Sequence, residues 1–265
     1  MALINPEMLV RFAKDNRCLK CSIISLNNEL FCDSCGPSRT TVELTDVHKA
    51  AIIDTVRTIR EAKDLINQNE LALTRIRQWF AGLISKGDKS FEAVLHTYIY
   101  IFWSSLKFEY NYAPPNLEGK GNIYFTSESL PDITEEKTTT DEDKLIRSFK
   151  RQTGKESRID LVSIDSAVHT IYLIEVKRGG LDDRTVGQLL RYYEHWSLLL
   201  YRNDCRMLNL NYIKLLLVVD SVTHESWKSL PQFFRDIVDI YIYKIDTDGV
   251  SLLLVNARKQ LLSPG

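Results

Sequence analysis

Arg158-Ile159-Asp160-Leu161-Val162 and Tyr172-Leu173-Ile174-Glu175-Val176-Lys177-Arg178-Gly179 are two short apolar runs that each carry one carboxylate. The second also carries a lysine two residues after its glutamate. Aliphatic and β-branched residues dominate both runs, and turn-forming Asp165 and Ser166 lie between them. The pattern predicts two neighbouring strands with a short connection. Side chains alternate along a strand, so Glu175 and Lys177 share one face while Val176 points to the other. Asp160, on the paired strand, can share the Glu175 face. Two acids and one ammonium then converge on a sheet otherwise built for burial, where charge is costly unless paired or holding a metal. Two explanations stand side by side. One is a structural ion pair of Asp160 or Glu175 with Lys177. The other is a divalent-metal site of hard oxygen ligands, with a lysine that orients or deprotonates an attacking water.

The next segment, Thr185 to Trp196, predicts a helix with Leu189, Tyr193 and Trp196 on one side and Gln188, Arg191 and His195 on the other. Asp160, the tripeptide Glu175-Val176-Lys177 and the helix pattern Gln188-x-x-x-Tyr192 together resemble the PD-(D/E)XK nuclease superfamily. The run from Ile159 to Tyr193 is most similar to its RecB-like and NucS-like endonuclease branch. One departure is visible: Ile159, not proline, precedes Asp160, a change that leaves the metal ligand in place. The resemblance implies a restriction-endonuclease-like α/β fold, a mixed sheet flanked by helices. It implies Mg²⁺ or Mn²⁺ held by Asp160, Glu175 and the Val176 carbonyl, with Lys177 positioning or activating water. Gln188 would orient Lys177 or the scissile phosphate, supported by Tyr192. Members of the superfamily often carry a further glutamate on a helix before the first strand. Glu92 matches that place, although it also reads as a first-turn acid favoured by the helix dipole. The implied activity is phosphodiester hydrolysis, foremost by a DNA endonuclease. An RNA endonuclease, or a non-catalytic nucleic-acid-binding or assembly protein on a nuclease-like fold, are the alternatives.

Composition bounds these readings. With 44% hydrophobic and 26% charged residues, the 265-residue chain has the make-up of a globular protein with a real core. No run of eighteen apolar residues exists to span a membrane, and Met1 to Lys14 lacks a signal-peptide pattern, so an intracellular, cytoplasmic (or nuclear) protein is expected. A net charge of −1 excludes a protein basic all over, so any nucleic-acid contact must be local. Lys144, Arg147, Lys150, Arg151, Lys155 and Arg158 concentrate basic charge just before Asp160. These residues, with Arg178 and Arg191, are the candidate phosphate contacts, a solvated face being the plain alternative.

The N-terminal part carries a second motif. Cys18-x-x-Cys21 and Cys32-x-x-Cys35, ten residues apart, have the spacing of a four-thiolate Zn²⁺ site with no position left for water, hence structural. The spacer Ser22 to Phe31 reads as a small hairpin, closed by Gly36-Pro37, and Cys205 as an ordinary thiol. From Thr45 to Ile84 the chain reads as helix, with Ile52, Ile59, Ile66, Leu73 and Phe80 recurring every seventh residue and a break near Asn67-Gln68-Asn69. That stripe fits packing within the chain, or a homodimer seam through 45–84. Ser90 to Tyr100 predicts a further helix. Phe108-x-Tyr110-x-Tyr112, Ile123 to Phe125 and Tyr212 to Val219 predict strands, as do Ile240 to Ile245 and Val250 to Val255, joined by an Asp246-Thr247-Asp248-Gly249 turn. Ser226 to Val238 predicts helix with a break at Pro231, and Ser127 to Asp143 a loop. The expected organisation is a zinc module at 1–42, a helical linker or subdomain at 43–87 and a nuclease domain at 88–265.

Overall fold

Among the described residues the N-terminal part is helical and every strand follows it, in line with the change of period from 3.6 to 2. The computed structural model describes residues 5–22, 24, 30–32, 35, 46–85, 92–103, 106–109, 122–125, 159–201, 212–246 and 249–254. The chain folds into two units, Met1–Phe102 with Ile245–Val250, and Trp103–Lys244 with Ser251–Gly265.

The first unit holds α1 (Pro6–Lys14), α2 (Asp46–Glu61), α3 (Lys63–Asn67), α4 (Glu70–Ser85) and α5 (Glu92–Phe102). Helix α1 begins with Pro6 at its first turn, and the Asn5 side chain accepts from the Met8 amide at 2.8 Å. The helical stretch expected over 45–84, with a break near 67–69, is three helices. The chain breaks at Ala62, and again at Gln68-Asn69, where Asn69 Oδ1 accepts from the Ala72 N–H at 3.1 Å and so caps α4. Ile52, Ile59, Ile66 and Phe80 are all buried, so intrachain packing occupies most of the heptad stripe. Helix α5 is buried along most of its length and packs on both α2 and α4. The boundary therefore falls at Phe102/Trp103 and not at 87/88, and the helix expected to open the nuclease domain belongs to the helical unit, as do the cysteines.

The second unit is built on a mixed seven-stranded sheet in the order β1-β7-β6-β5-β4-β3-β2. Its strands are β1 (Lys107–Glu109), β2 (Asn122–Phe125), β3 (Leu161–Asp165), β4 (Thr170–Val176), β5 (Tyr212–Val219), β6 (Val238–Asp246) and β7 (Gly249–Leu254). β3 pairs antiparallel with β2 and β4, whereas β4, β5 and β6 run parallel. Helix α6 (Asp183–Tyr201) crosses from β4 to β5, and the short α7 (His224–Ser229) and α8 (Gln232–Ile237) lead into β6. β4 is buried at every residue and β5 over its last five, which is why both read as apolar runs and not as alternation.

One face carries Val162, Ile164, Ile171, Leu173, Leu215, Leu217 and Ile240, in one core cluster with Leu189, Tyr192 and Trp196 of α6 and Phe234 of α8. The described helices of this unit all meet that face. The buried stripe of α6 is Thr185, Val186, Leu189, Tyr192 and Trp196. Tyr192 is thus fully buried in that cluster, with Tyr193 partly buried against it.

Candidate functional site

The β3–β4 register pairs Leu161 with Ile174. One residue further along the same register, Asp160 lies opposite Glu175. Asp160 precedes the first residue of β3 instead of lying within the strand, and its backbone leaves the ladder there. Its carboxylate takes over the pairing, with Oδ2 accepting from the Val176 N–H at 2.8 Å. Asp160 is 7% exposed and Glu175 0%. At this spot Val176 therefore presents its amide to Asp160, in addition to the carbonyl expected to face a cation.

Glu175 Oε1 lies 2.7 Å from Lys177 Nζ. Oε2 is buried with no hydrogen-bond partner among the described residues. Burial pushes the Glu175 carboxyl up to about 8, and the negative charge of Asp160 adds to this. The Lys177 ammonium and the Asp160 backbone amide pull the other way without cancelling it. Lys177 keeps 27% of its side chain exposed, so the three groups run from a buried acid to a wetted ammonium. Two carboxylates opposite each other in the register, one with a buried unsatisfied oxygen, are a hard-oxygen donor set of the kind that divalent cations take.

The backbone around the pair is pinned beyond the end of β4. Lys177 N–H donates to the Val218 carbonyl at 2.8 Å, Asp220 N–H to Gly179 at 3.0 Å and Leu181 N–H to Ser221 at 3.2 Å. Gly179 turns the chain with φ 151°, a conformation side-chain-bearing residues rarely adopt. Asp182 then starts α6, its Oδ1 accepting from the Thr185 N–H at 2.7 Å. The Thr185 side chain and amide hold the Asp182 carboxyl below its usual value, and Lys177 contributes to the same shift. Asp182 is a residue that the sequence reading missed. The Asp-x-x-Thr spacing after two glycines is a capping signal that could have found it.

Helix α6 brings two more expected residues together. Gln188 Nε2 donates to the Tyr192 hydroxyl at 2.7 Å. Tyr192 is fully buried, and burial, Glu175 and Asp160 all raise its phenol above its ordinary value. Gln188 is half-buried, Arg178 is half-buried and Arg191 is exposed. Glu92 opens α5 in the first unit, with Oε1 3.9 Å from His96 Nε2. Lys150, Arg151, Lys155 and Arg158, together with Lys144 and Arg147, lie outside the described residues, as do Cys205 and the 127–143 segment.

The four cysteines do come together. The Sγ atoms of Cys18, Cys21, Cys32 and Cys35 all lie within 4.8 Å of one another, a group that could hold a metal ion. Cys21 and Cys32 Sγ are 3.6 Å apart. A tetrahedral ion with metal–sulfur bonds of about 2.3 Å spans edges of about 3.8 Å, so the spacing fits. The first knuckle turns through Ser22 at φ 61°, its N–H donating to the Cys18 carbonyl at 2.9 Å, and the Leu19 N–H reaches the Leu30 carbonyl of the second segment at 2.8 Å. Burial pushes the Cys18 thiol up, but the amides of Cys32, Cys21 and Lys20 outweigh it and bring Cys18 down to about 7. Cys35 is pushed up to about 12 by burial and by the crowding thiols. Among the described residues, no helix is long and apolar enough to cross a membrane.

Comparison with models of known protein families, with curated proteins and with solved structures finds no match for this chain.

Proposed function

We propose that the chain is a metal-dependent nuclease that hydrolyses phosphodiester bonds, foremost in DNA. The observation that carries this reading is Glu175, a fully buried carboxylate with one oxygen unpartnered among the described residues, set opposite Asp160 and 2.7 Å from a half-exposed lysine. A purely structural ion pair would satisfy both oxygens or stay in solvent, because an unsatisfied buried acid destabilises the fold. Asp160 and Glu175 would hold Mg²⁺ or Mn²⁺. When bound, such an ion polarises the phosphate and lowers the pKa of an attacking water. The chain's own residues supply the rest. Val176 N–H fixes the Asp160 carboxylate. Lys177, on the solvent side of Glu175, can orient the attacking water or carry its proton, and its charge offsets that building on the phosphate. Gln188 and Tyr192, bonded to each other, form a polar wall beside the acids, and Arg178 and Arg191 are phosphate contacts. The metal of the cysteine cluster is proposed to be Zn²⁺, closed by four thiolates and therefore structural.

That closed cluster favours one second reading, a nucleic-acid-binding or assembly protein with the zinc module as its reader. A panel of labelled single-stranded, duplex, flapped and branched DNA and of RNA, incubated with Mg²⁺ or Mn²⁺, separates the two. Cleavage by the intact protein that falls at least about a hundredfold in Glu175→Ala and in Lys177→Met supports the nuclease. Absence of cleavage, with nucleic-acid binding that depends on zinc and survives Glu175→Ala, supports the binding module and sinks the nuclease.

A further inference from the structure

We infer that the four-cysteine cluster controls the order of the helical unit, and that two side chains on one face of α4, Arg75 and Trp79, transmit its metal state to α5. The two residues are four apart on the helix and so lie one above the other. Arg75 is buried, and its Nη1 donates to the carbonyls of Phe12 (3.2 Å) and Ala13 at the end of α1. That is the chain entering the first knuckle, Cys18 and Cys21. Trp79, 8% exposed, has its ring centroid 6.4 Å from that of Phe31, the residue that enters the second knuckle, Cys32 and Cys35. Helix α4 thus grips both segments that a tetrahedral ion would tie together. A metal joining the four thiolates closes the loop from α1 to Phe31 over one helix face. Without it, the two knuckles are held together by weaker links, among them the Leu19–Leu30 hydrogen bond, the Cys32 amide on Cys18 and the contacts between thiols.

The grip continues inward. Trp79 stands edge-on to Phe80, centroids 5.2 Å apart, and Phe80 meets Tyr98 (5.8 Å) and Phe102 (6.4 Å) of α5, both nearly perpendicular to it. Edge-to-face aromatic contacts of this kind depend on ring position. A shift of Phe31 when the knuckles part is therefore felt at Trp79, then Phe80, then at the helix that carries Glu92 and His96. Packed side chains pass on such displacements because a dense interior has few voids to absorb them. The inference concerns the helical unit alone and does not depend on the nuclease reading.

Hydrogen exchange on the full chain, zinc-loaded and then stripped with a chelator, tests it, with zinc content measured alongside. Stripping the parent protein should raise exchange at least about tenfold in peptides of α4 and α5, with little change in β4 and α6. Trp79→Leu and Phe31→Leu keep an apolar group but remove a ring, so in both the response of α5 to stripping should fall to a small fraction of the parent's while zinc remains bound. Phe31→Leu changes no residue of α4 or α5 and stands in if Trp79→Leu fails to fold. Three results overturn the inference: a chain that carries no zinc and ignores the chelator, a response confined to residues 18–35, or an α5 response in the folded variants equal to the parent's.

Discussion

Glu175 should give this protein a pH dependence of stability opposite in sign to that of most carboxylates. Burial raises its carboxyl from an ordinary 4.5 to about 8. Between those values the native state keeps a proton that the unfolded chain has released. Stability therefore falls as pH rises through the window, and this contribution is level below 4.5 and above 8. The window is 3.5 pH units wide (8 minus 4.5). At about 1.4 kcal/mol per unit, the ceiling is on the order of 5 kcal/mol. Glu175→Gln replaces the acid by a neutral group of the same shape. Parent and variant should be close in stability near pH 5, where the acid is protonated. By pH 8 the variant should be more stable by several kcal/mol, without added divalent cation.

Urea unfolding at half-unit pH steps, followed by tryptophan fluorescence, measures this, since Trp196 is fully buried in the core of the same unit. Subtracting the variant from the parent cancels the other titrating groups. A cation must displace the proton to bind Glu175, so Mg²⁺ affinity in the parent should rise about tenfold per pH unit up to about 8. Mg²⁺ should accordingly stabilise the parent more at pH 8 than at pH 6, and Glu175→Gln hardly at all. A parent-minus-variant difference that stays constant from pH 5 to 8 would refute the reasoning, because Glu175 would then be no strained acid and no proton would stand in a cation's way.

Lys177→Met removes the ammonium that favours ionised Glu175, so in the same titration the fall in stability should extend above pH 8; an unmoved upper limit would show that the 2.7 Å contact does not control the acid. Asp182→Ala should destabilise by about 1 kcal/mol in urea unfolding through loss of the α6 cap, whereas Asp182→Asn should lose much less, since asparagine caps nearly as well. Equal losses would mean that the carboxylate matters through its charge and not as a cap. Gly179→Ala should cost roughly 1–3 kcal/mol through its φ of 151° although no atom within 4 Å would meet the new Cβ, and a neutral result would show that the turn relaxes freely.

How much of this was legible varies by residue, for physical reasons. β5 was read to its ends, Tyr212 to Val219, because a buried parallel strand is a continuous apolar run bounded by polar residues. The first strand reads three residues early, at 158–162 against Leu161–Asp165, because alternation cannot show that Asp160 trades its place in the ladder for a bond to the Val176 amide, nor that Asp165 ends the strand and not the turn. The convergence of Glu175, Lys177 and Asp160 followed from strand alternation alone. The α6 face reads correctly at Leu189 and Trp196 but takes Tyr193 for Tyr192: the two lie four and three residues from Leu189, nearly equivalent in the helical period, and Tyr192, bonded to Gln188, is the more buried. That α5 packs with the helices is not legible because an almost wholly buried helix reads as buried but not against what. Arg75 and Trp79 were invisible for a similar reason, since backbone carbonyls and a ring distant in sequence are tertiary partners that no local pattern records.

The placement of the charged set argues against accident. Surface ion pairs are worth little and sit where side chains can move. This one sits at the end of β4, where three backbone bonds, from Lys177, Leu181 and Asp220, lock the strand's exit against β5 and its continuation. Lys177 is bonded through its own amide, so its side chain starts from a fixed point two residues beyond a fixed Glu175. Asp160 is held from the other side by the Val176 amide. Each of the three groups is therefore positioned by backbone, and Glu175 Oε2, left unsatisfied among the described residues, is the atom of the set that a ligand would complete. In open α/β sheets, ligands collect at the ends of parallel strands where the chain turns away to a helix, and β4 leaves the sheet there through Gly179 to the capped start of α6. A fold that only needed to be stable could place a leucine at 175. Keeping a buried acid there, with rigid neighbours and a lysine at the solvent edge, makes sense if the strain is relieved on binding a cation.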